Sequence, residues 1–200
     1  MQKNNPYDKI AAVYDFPLMQ YVYWWEHKRA LFDLQPVIGP CARILDIGCA
    51  TGKFAKKLRG AHPHINVTLL DASANMIERS KKACPFAKAL CKKFLHAHLP
   101  QKSYDLITII DALYCLENPK KAIETCAQLL ALYGYLYIIA PQSENFLHKI
   151  LIAYTKLFPT EKTSVHIPAK EIECTAKESG LLLIKKYKKY GQWFLLFQKH

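Results

Sequence analysis

Glycine is scarce in this sequence: seven residues in 200. Two of the seven, Gly48 and Gly52, nonetheless fall within five consecutive positions. No apolar run approaches the roughly 18 residues needed to cross a bilayer, so no transmembrane helix is expected. The opening MQKNNPYDKI lacks a charged stretch leading into an apolar one, so no signal peptide is expected either. No cysteine belongs to a C-x-x-C pair; the seven are odd in number and scattered, which suits reduced, cytoplasmic usage. The pairs His62/His64 and His96/His98 come without an evident third and fourth ligand, so no metal is expected. Acidic residues are also few, 16 against 28 Lys and Arg, for a net charge of +12. That charge suits an anionic membrane face, an acidic substrate or nucleic acid, but it is spread along the chain and much of it falls near helix ends.

Strand and helix patterns alternate. Residues 18–34 read as an amphipathic helix stopped before Pro36. RILDI (43–47) is a buried strand, GKFAKKLRG (52–60) a helix closed by Gly60, INVTLLD (65–71) a strand. SANMIERSKKAC (73–84) is a helix capped by Ser73, AKALC (87–91) a weak strand and YDLITIID (104–111) a strong one. NPKKAIETCAQLLALY (118–133) is a helix with Pro119 in its first turn, followed by the strand YGYLYIIAP (133–141). ENFLHKILIAYTKLF (144–158) reads as helical, PAKEIECTAKESG (168–180) as a helix ended by Gly180, and two strands closing on either side of Gly191 finish the chain. This order predicts an α/β, doubly wound, mostly parallel seven-stranded sheet with helices on both faces. In such sheets ligands sit beyond the carboxyl ends of the strands.

The stretch DIGCATG (46–52) lies at that end of the first strand. Small residues there let a ligand approach the backbone and the free N–H groups of a helix start. A dinucleotide G-x-G-x-x-G fails, because Ala50 and Lys53 occupy its second and third glycine positions. The observed G-x-A-x-G resembles motif I of the class I S-adenosylmethionine-dependent methyltransferases, with Ala50 in place of the central glycine. The resemblance continues through VTLLDASANMIERSKK and YDLITIIDALYCLENPKKAIETCAQLL. It extends to the ubiquinone/menaquinone-biosynthesis C-methyltransferases among the small-molecule enzymes.

This resemblance implies S-adenosyl-L-methionine as cofactor and a single domain over 1–200, with a helical cap at 1–35 and a substrate-side insert at 141–168. It places Asp46, Gly48, Cys49, Ala50 and Gly52 around the cofactor. Asp71 would take the ribose hydroxyls, Ala72 and Met76 the adenine, and Asp111 the cofactor or the substrate. Tyr14 matches a cofactor-capping aromatic, with Tyr7 a second candidate, and His166 is a candidate proton acceptor. Three departures stand out. Residues 87–98 contain no Asp or Glu where an adenine-binding acid is common, Tyr114 and Cys115 take two positions that are histidine in relatives, and Ala50 is not glycine. Ala50 is expected at negative φ, where alanine costs nothing.

The acceptor implied is a small, lipophilic molecule of the quinone-ring or phospholipid-amine type. It would be held between Trp24, Trp25 and the apolar residues 146–158, with peripheral contact to an anionic membrane and no nucleic acid. Two alternatives stay open: a methyltransferase-like binding or regulatory protein without turnover, and an RNA methyltransferase.

Overall fold

The computed structural model describes residues 7–11, 14–15, 17–142 and 165–200. The apolar segment 146–158 lies outside these. A short helix α1 (Tyr7–Ile10) and a long helix α2 (Pro17–Leu34) precede β1 (Arg43–Ile47), α3 (Lys53–Ala61), β2 (Asn66–Asp71), α4 (Ala74–Ala83) and β3 (Lys88–Cys91). There follow β4 (Tyr104–Ile110), α5 (Pro119–Leu129), β5 (Leu130–Pro141), α6 (Ala169–Glu178), β6 (Leu181–Lys189) and β7 (Gln192–Lys199). The seven strands form one sheet in the order β3-β2-β1-β4-β5-β7-β6. All neighbours are parallel except β7, which runs antiparallel to both β5 and β6. The predicted doubly wound sheet is thus observed.

Strand alternation divides the core. Leu45, Ile47, Ile107, Ile109, Leu136 and Ile138 face one side, under Ala122, Ile123 and Cys126 of α5 and Ile172 and Ala176 of α6. Ile44, Val67, Leu69, Tyr137 and Ile139 face the other, with Ala30 and Leu34 of α2 and Phe54, Ala55 and Leu58 of α3. Residues i and i+2 share a face, so a strand buried on both sides must be apolar throughout. A polar node secures α2: buried Asp33 accepts from Tyr137 Oη at 2.9 Å and Lys185 Nζ at 2.8 Å, and also from Tyr187 Oη.

Helix ends follow their caps. Ser73 Oγ accepts from the Met76 N–H at 3.1 Å and Asn118 Oδ1 from the Lys121 N–H at 3.0 Å, with Pro119 in the first turn. Gly180, at φ 78°, follows the last turn of α6. Two boundaries differ from the sequence reading. Gly60 does not close α3, which continues to Ala61 with the His62 N–H on the Leu58 carbonyl. Helix α5 ends at Leu129 rather than running to Tyr133. Leu130 already pairs with Tyr104 in the sheet, and Lys199 Nζ takes the Ala127 and Leu130 carbonyls at 2.5 and 3.1 Å. Helix propensity there yields to strand pairing.

Candidate active site

The loop after β1 turns on three left-handed residues, Gly48 at φ 69°, Ala50 at φ 46° and Gly52 at φ 78°. Ala50 is therefore not at negative φ as expected. The cause is geometric. The Ala50 N–H points to Asp71 Oδ2 at 3.0 Å, while the Gly52 N–H closes on the Cys49 carbonyl at 2.9 Å. The Gly48 and Cys49 N–H groups both reach the Leu70 carbonyl, tying the loop to the end of β2. The glycines are also small for the protein's own sake. A Cβ on Gly48 would meet Ala112 Cβ at 2.5 Å, and one on Gly52 would lie 3.1 Å from Cys84 Sγ and Ser80 Cβ.

Asp71 ends β2 with both oxygens on backbone: Oδ2 on Ala50 and Oδ1 on the Ser73 N–H at 2.8 Å. Burial raises its pKa, opposed by the N–H groups of Ser73 and Ala50. Two carboxylate oxygens offer about four acceptor sites, more than these backbone groups fill. Asp46 lies near the end of the neighbouring strand β1 and is buried. Its Oδ1 accepts from Thr108 Oγ1 at 2.8 Å, while its Oδ2 has no hydrogen-bond partner among the described residues. Burial, eased by Thr108, pushes its pKa up to about 7. A buried acceptor left open in this way calls for a donor.

Asp46 forms part of the wall of a narrow recess with Gly48, Cys49, Ala50, Thr51 and Lys53 on the loop side. Tyr14, Tyr23, His27, Phe54 and Ile110 complete it. Tyr14 and Tyr23 stack with centroids 5.4 Å apart. Burial raises both their pKa values, and the charge of Asp111 adds to each. His27 is held to a low pKa of about 3 by burial and by Lys57 and Lys53, so it is neutral near pH 7. Asp111, at the end of β4, is itself left-handed at φ 49° and accepts from Gln192 Nε2 at 3.4 Å. Gln192 also donates to Glu26 Oε1 at 3.1 Å. Glu26 is buried, with Oε2 unpartnered among the described residues and its pKa pushed by burial to about 7.

The N-terminal segment is fastened over this end by two aspartates. Asp8 accepts from Ser73 Oγ at 2.5 Å and the Asn75 N–H at 3.1 Å at the start of α4. Asp15 accepts from Thr51 Oγ1 at 2.9 Å and pairs with Lys53 and Arg79, each at 3.0 Å. Burial raises the Asp15 pKa, but the bonds from Lys53, Thr51 and Arg79 outweigh it and hold it low.

The loop residues, Asp71 and Tyr14 thus assemble at one end of the sheet. Ala72 follows Asp71, and Met76 is buried in the first turn of α4, outside both apolar clusters. His166 is not on the recess wall. It stacks on Tyr114 at 4.6 Å in a second small cavity with Leu113, Ala140 and Ile172. Cys115 Sγ meets Tyr7 Oη at 2.9 Å. The two substituted histidine positions therefore hold His166 and the N-terminal helix. Trp24 and Trp25 face outward; Tyr23 and His27 of the same helix line the recess instead. Glu26, the sole acid between Asp15 and Asp33, was legible only as the acid of a short charged stretch, EHKR, in an aromatic helix. Among the described residues no group of three or more side chains could hold a metal ion, and no helix is long and apolar enough to cross a membrane.

Comparison with known proteins agrees with this geometry. A family described as "Methyltransferase domain" matches residues 45–138. The chain is 31% identical over 143 residues to the demethylmenaquinone methyltransferase of Chlamydia pneumoniae, covering 66% of this chain and 58% of that protein. It is 33% identical over 129 residues to the malonyl-[acyl-carrier protein] O-methyltransferase of Anoxybacillus flavithermus, covering 64% and 45%. The chain thus spans about half the length of these relatives. A chain from the complex between the Haloferax volcanii Trm112 methyltransferase activator and a methyltransferase superposes with a TM-score of 0.85 at 16% identity. That match covers 98% of this chain and 99% of the other, and it is a likeness of fold.

Proposed function

We propose that the chain acts as a class I S-adenosylmethionine-dependent methyltransferase and that it transfers a methyl group to a small, lipophilic acceptor. The observation that carries this reading is the open, buried Asp46 Oδ2 on the recess wall, beside the Asp71 carboxylate. S-adenosylmethionine presents an ammonium, two ribose hydroxyls and a sulfonium, and it supplies a methyl already activated for displacement. Asp46 would meet the ammonium directly or through water, and Asp71 the hydroxyls with its remaining acceptor capacity. Ala72 and Met76 would pack on the adenine. Gly48, Cys49, Ala50 and Gly52 shape the backbone that faces the cofactor.

The stacked Tyr14 and Tyr23 present aromatic faces suited to a cation. With neutral His27, Phe54 and Ile110 they make the recess apolar where the acceptor would lie. Catalysis would then rest on positioning. Asp111 would hold Tyr14 and Tyr23 and orient the substrate. If the acceptor must lose a proton, Glu26, with a pKa near 7, and His166 are the two groups to compare. The lipophilic acceptor is supported by this lining and by the likeness to a demethylmenaquinone methyltransferase.

The test is S-adenosylhomocysteine formation with a tail-bearing naphthoquinol, a phosphatidylethanolamine, and unfractionated RNA as separate acceptors. Turnover with one of the first two is expected. Turnover confined to RNA contradicts the reading.

A further inference from the structure

Helix α2 has two working sides. Tyr23 and His27 turn to the recess, while Trp24 and Trp25 are 42% and 37% exposed on the outer side. The two indoles meet edge to face with centroids 4.6 Å apart. Lys28 Nζ stands over both, at 4.9 and 5.9 Å. Trp25 also meets Tyr190, 5.6 Å away in the turn between β6 and β7, and Lys189 Nζ lies 5.0 Å over that ring. Two turns along from Trp25, Phe32 is 62% exposed, with the Arg29 guanidinium 4.8 Å over it. Arg29 and Lys185 share Asp33. Lys28 and Lys189 make no ion pair with a carboxylate among the described residues.

Exposed aromatics scattered singly need no explanation, but Trp24, Trp25 and Tyr190 touch one another, and Phe32 lies further along the same helix. Trp and Tyr, apolar with a polar tip, are the side chains that settle at the headgroup level of a bilayer. Lysine stems lie along apolar surface and leave the ammonium free for anionic headgroups. The strip also borders the site. The turn at Tyr190 leads into Gln192, whose amide reaches Glu26 and Asp111 at the carboxyl end of the sheet.

We propose that Trp24, Trp25, Phe32 and Tyr190, with Lys28 and Lys189, form a docking surface for an anionic lipid bilayer. It would hold the site end of the sheet at the membrane. This rests on the lipophilic-acceptor reading for its purpose but not for its physics. A single-stranded nucleic acid would instead need a groove that tracks its backbone, and this strip is an outer helix face with a hairpin turn beside it.

The test mixes the full chain with vesicles of phosphatidylcholine, alone and with phosphatidylglycerol, and sediments them. Binding is expected only with phosphatidylglycerol, with a blue shift of tryptophan emission. It should weaken as salt shortens the screening length below about 8 Å. Lys28→Glu with Lys189→Glu should weaken it by about fivefold or more per site, and Trp24→Ser with Trp25→Ser should abolish the blue shift. Both double variants should keep wild-type S-adenosylmethionine affinity by calorimetry, which also reports that they fold. Wild type that binds the cofactor but not anionic vesicles overturns the docking surface and leaves the methyltransferase reading standing. Binding to vesicles without cofactor binding does the reverse. Loss of polyuridylate binding in the same variants, with vesicle binding unchanged, would reassign the strip to nucleic acid and overturn the proposal.

Discussion

Ala50 is the residue at which local preference and tertiary demand part. Nothing in its neighbours gives its φ; the long-range bond from its N–H to Asp71 does. An alanine held left-handed is strained by about 1 kcal/mol relative to glycine. Ala50→Gly is therefore expected to raise stability by roughly that amount in urea melts, without loss of the Asp71 contact. An unchanged or lowered midpoint would show that the loop relaxes around alanine. Asp46 carries a different cost. Burial lifts its folded pKa to about 7, so between about pH 4 and pH 7 the folded chain holds a proton that the unfolded chain has released. Stability contributed by this group is therefore lost as pH rises through that window. Asp46→Asn keeps an acceptor for Thr108 and removes the charge. It should stabilise the cofactor-free protein near pH 8 by about 1–3 kcal/mol, with the gain shrinking near pH 5. The same variant should bind S-adenosylmethionine more weakly. Denaturation at the two pH values checks the first part; a variant less stable at both would contradict it.

At the scale of elements, the cover over the site depends on the two Tyr-Asp pairs. The sequence pointed to the tyrosines, but the aspartates make the attachment: Asp8 at the start of α4 and Asp15 across Thr51, Lys53 and Arg79. A single aspartate beside a tyrosine carries no signal of a partner tens of residues away, and so this role was not legible. Asp15→Ala should speed amide exchange around Tyr14 and weaken cofactor binding while leaving the sheet amides protected. Equal exchange in the two proteins would mean that packing of Tyr14 on Tyr23 suffices. Helix starts were legible because caps are local chemistry, as Ser73 and Asn118 show. The end of α5 was not, because pairing of Leu130 with Tyr104 decided it.

The molecule as a whole was the most legible scale. Apolar strands alternating with amphipathic helices leave a buried parallel sheet as the natural solution. Even the place of β7 has a trace in composition. Its central residues, Phe194 to Phe197, are buried between β5 and β6, whereas β6 carries Lys185, Lys186, Lys188 and Lys189 along the open edge. The site was legible as a motif at one strand end but not as a recess, since Tyr23 and His27 come to it from a helix whose pattern reads mainly as aromatic. Cofactor binding is where fold and site meet, and titration calorimetry of wild type and Asp71→Ala with S-adenosylmethionine tests it most directly. Wild type should bind with micromolar-scale affinity, and the variant more weakly by roughly 1.5–3 kcal/mol, about 10- to 150-fold. No heat of binding from the wild type, or equal affinities in a folded variant, would contradict the assignment of this site.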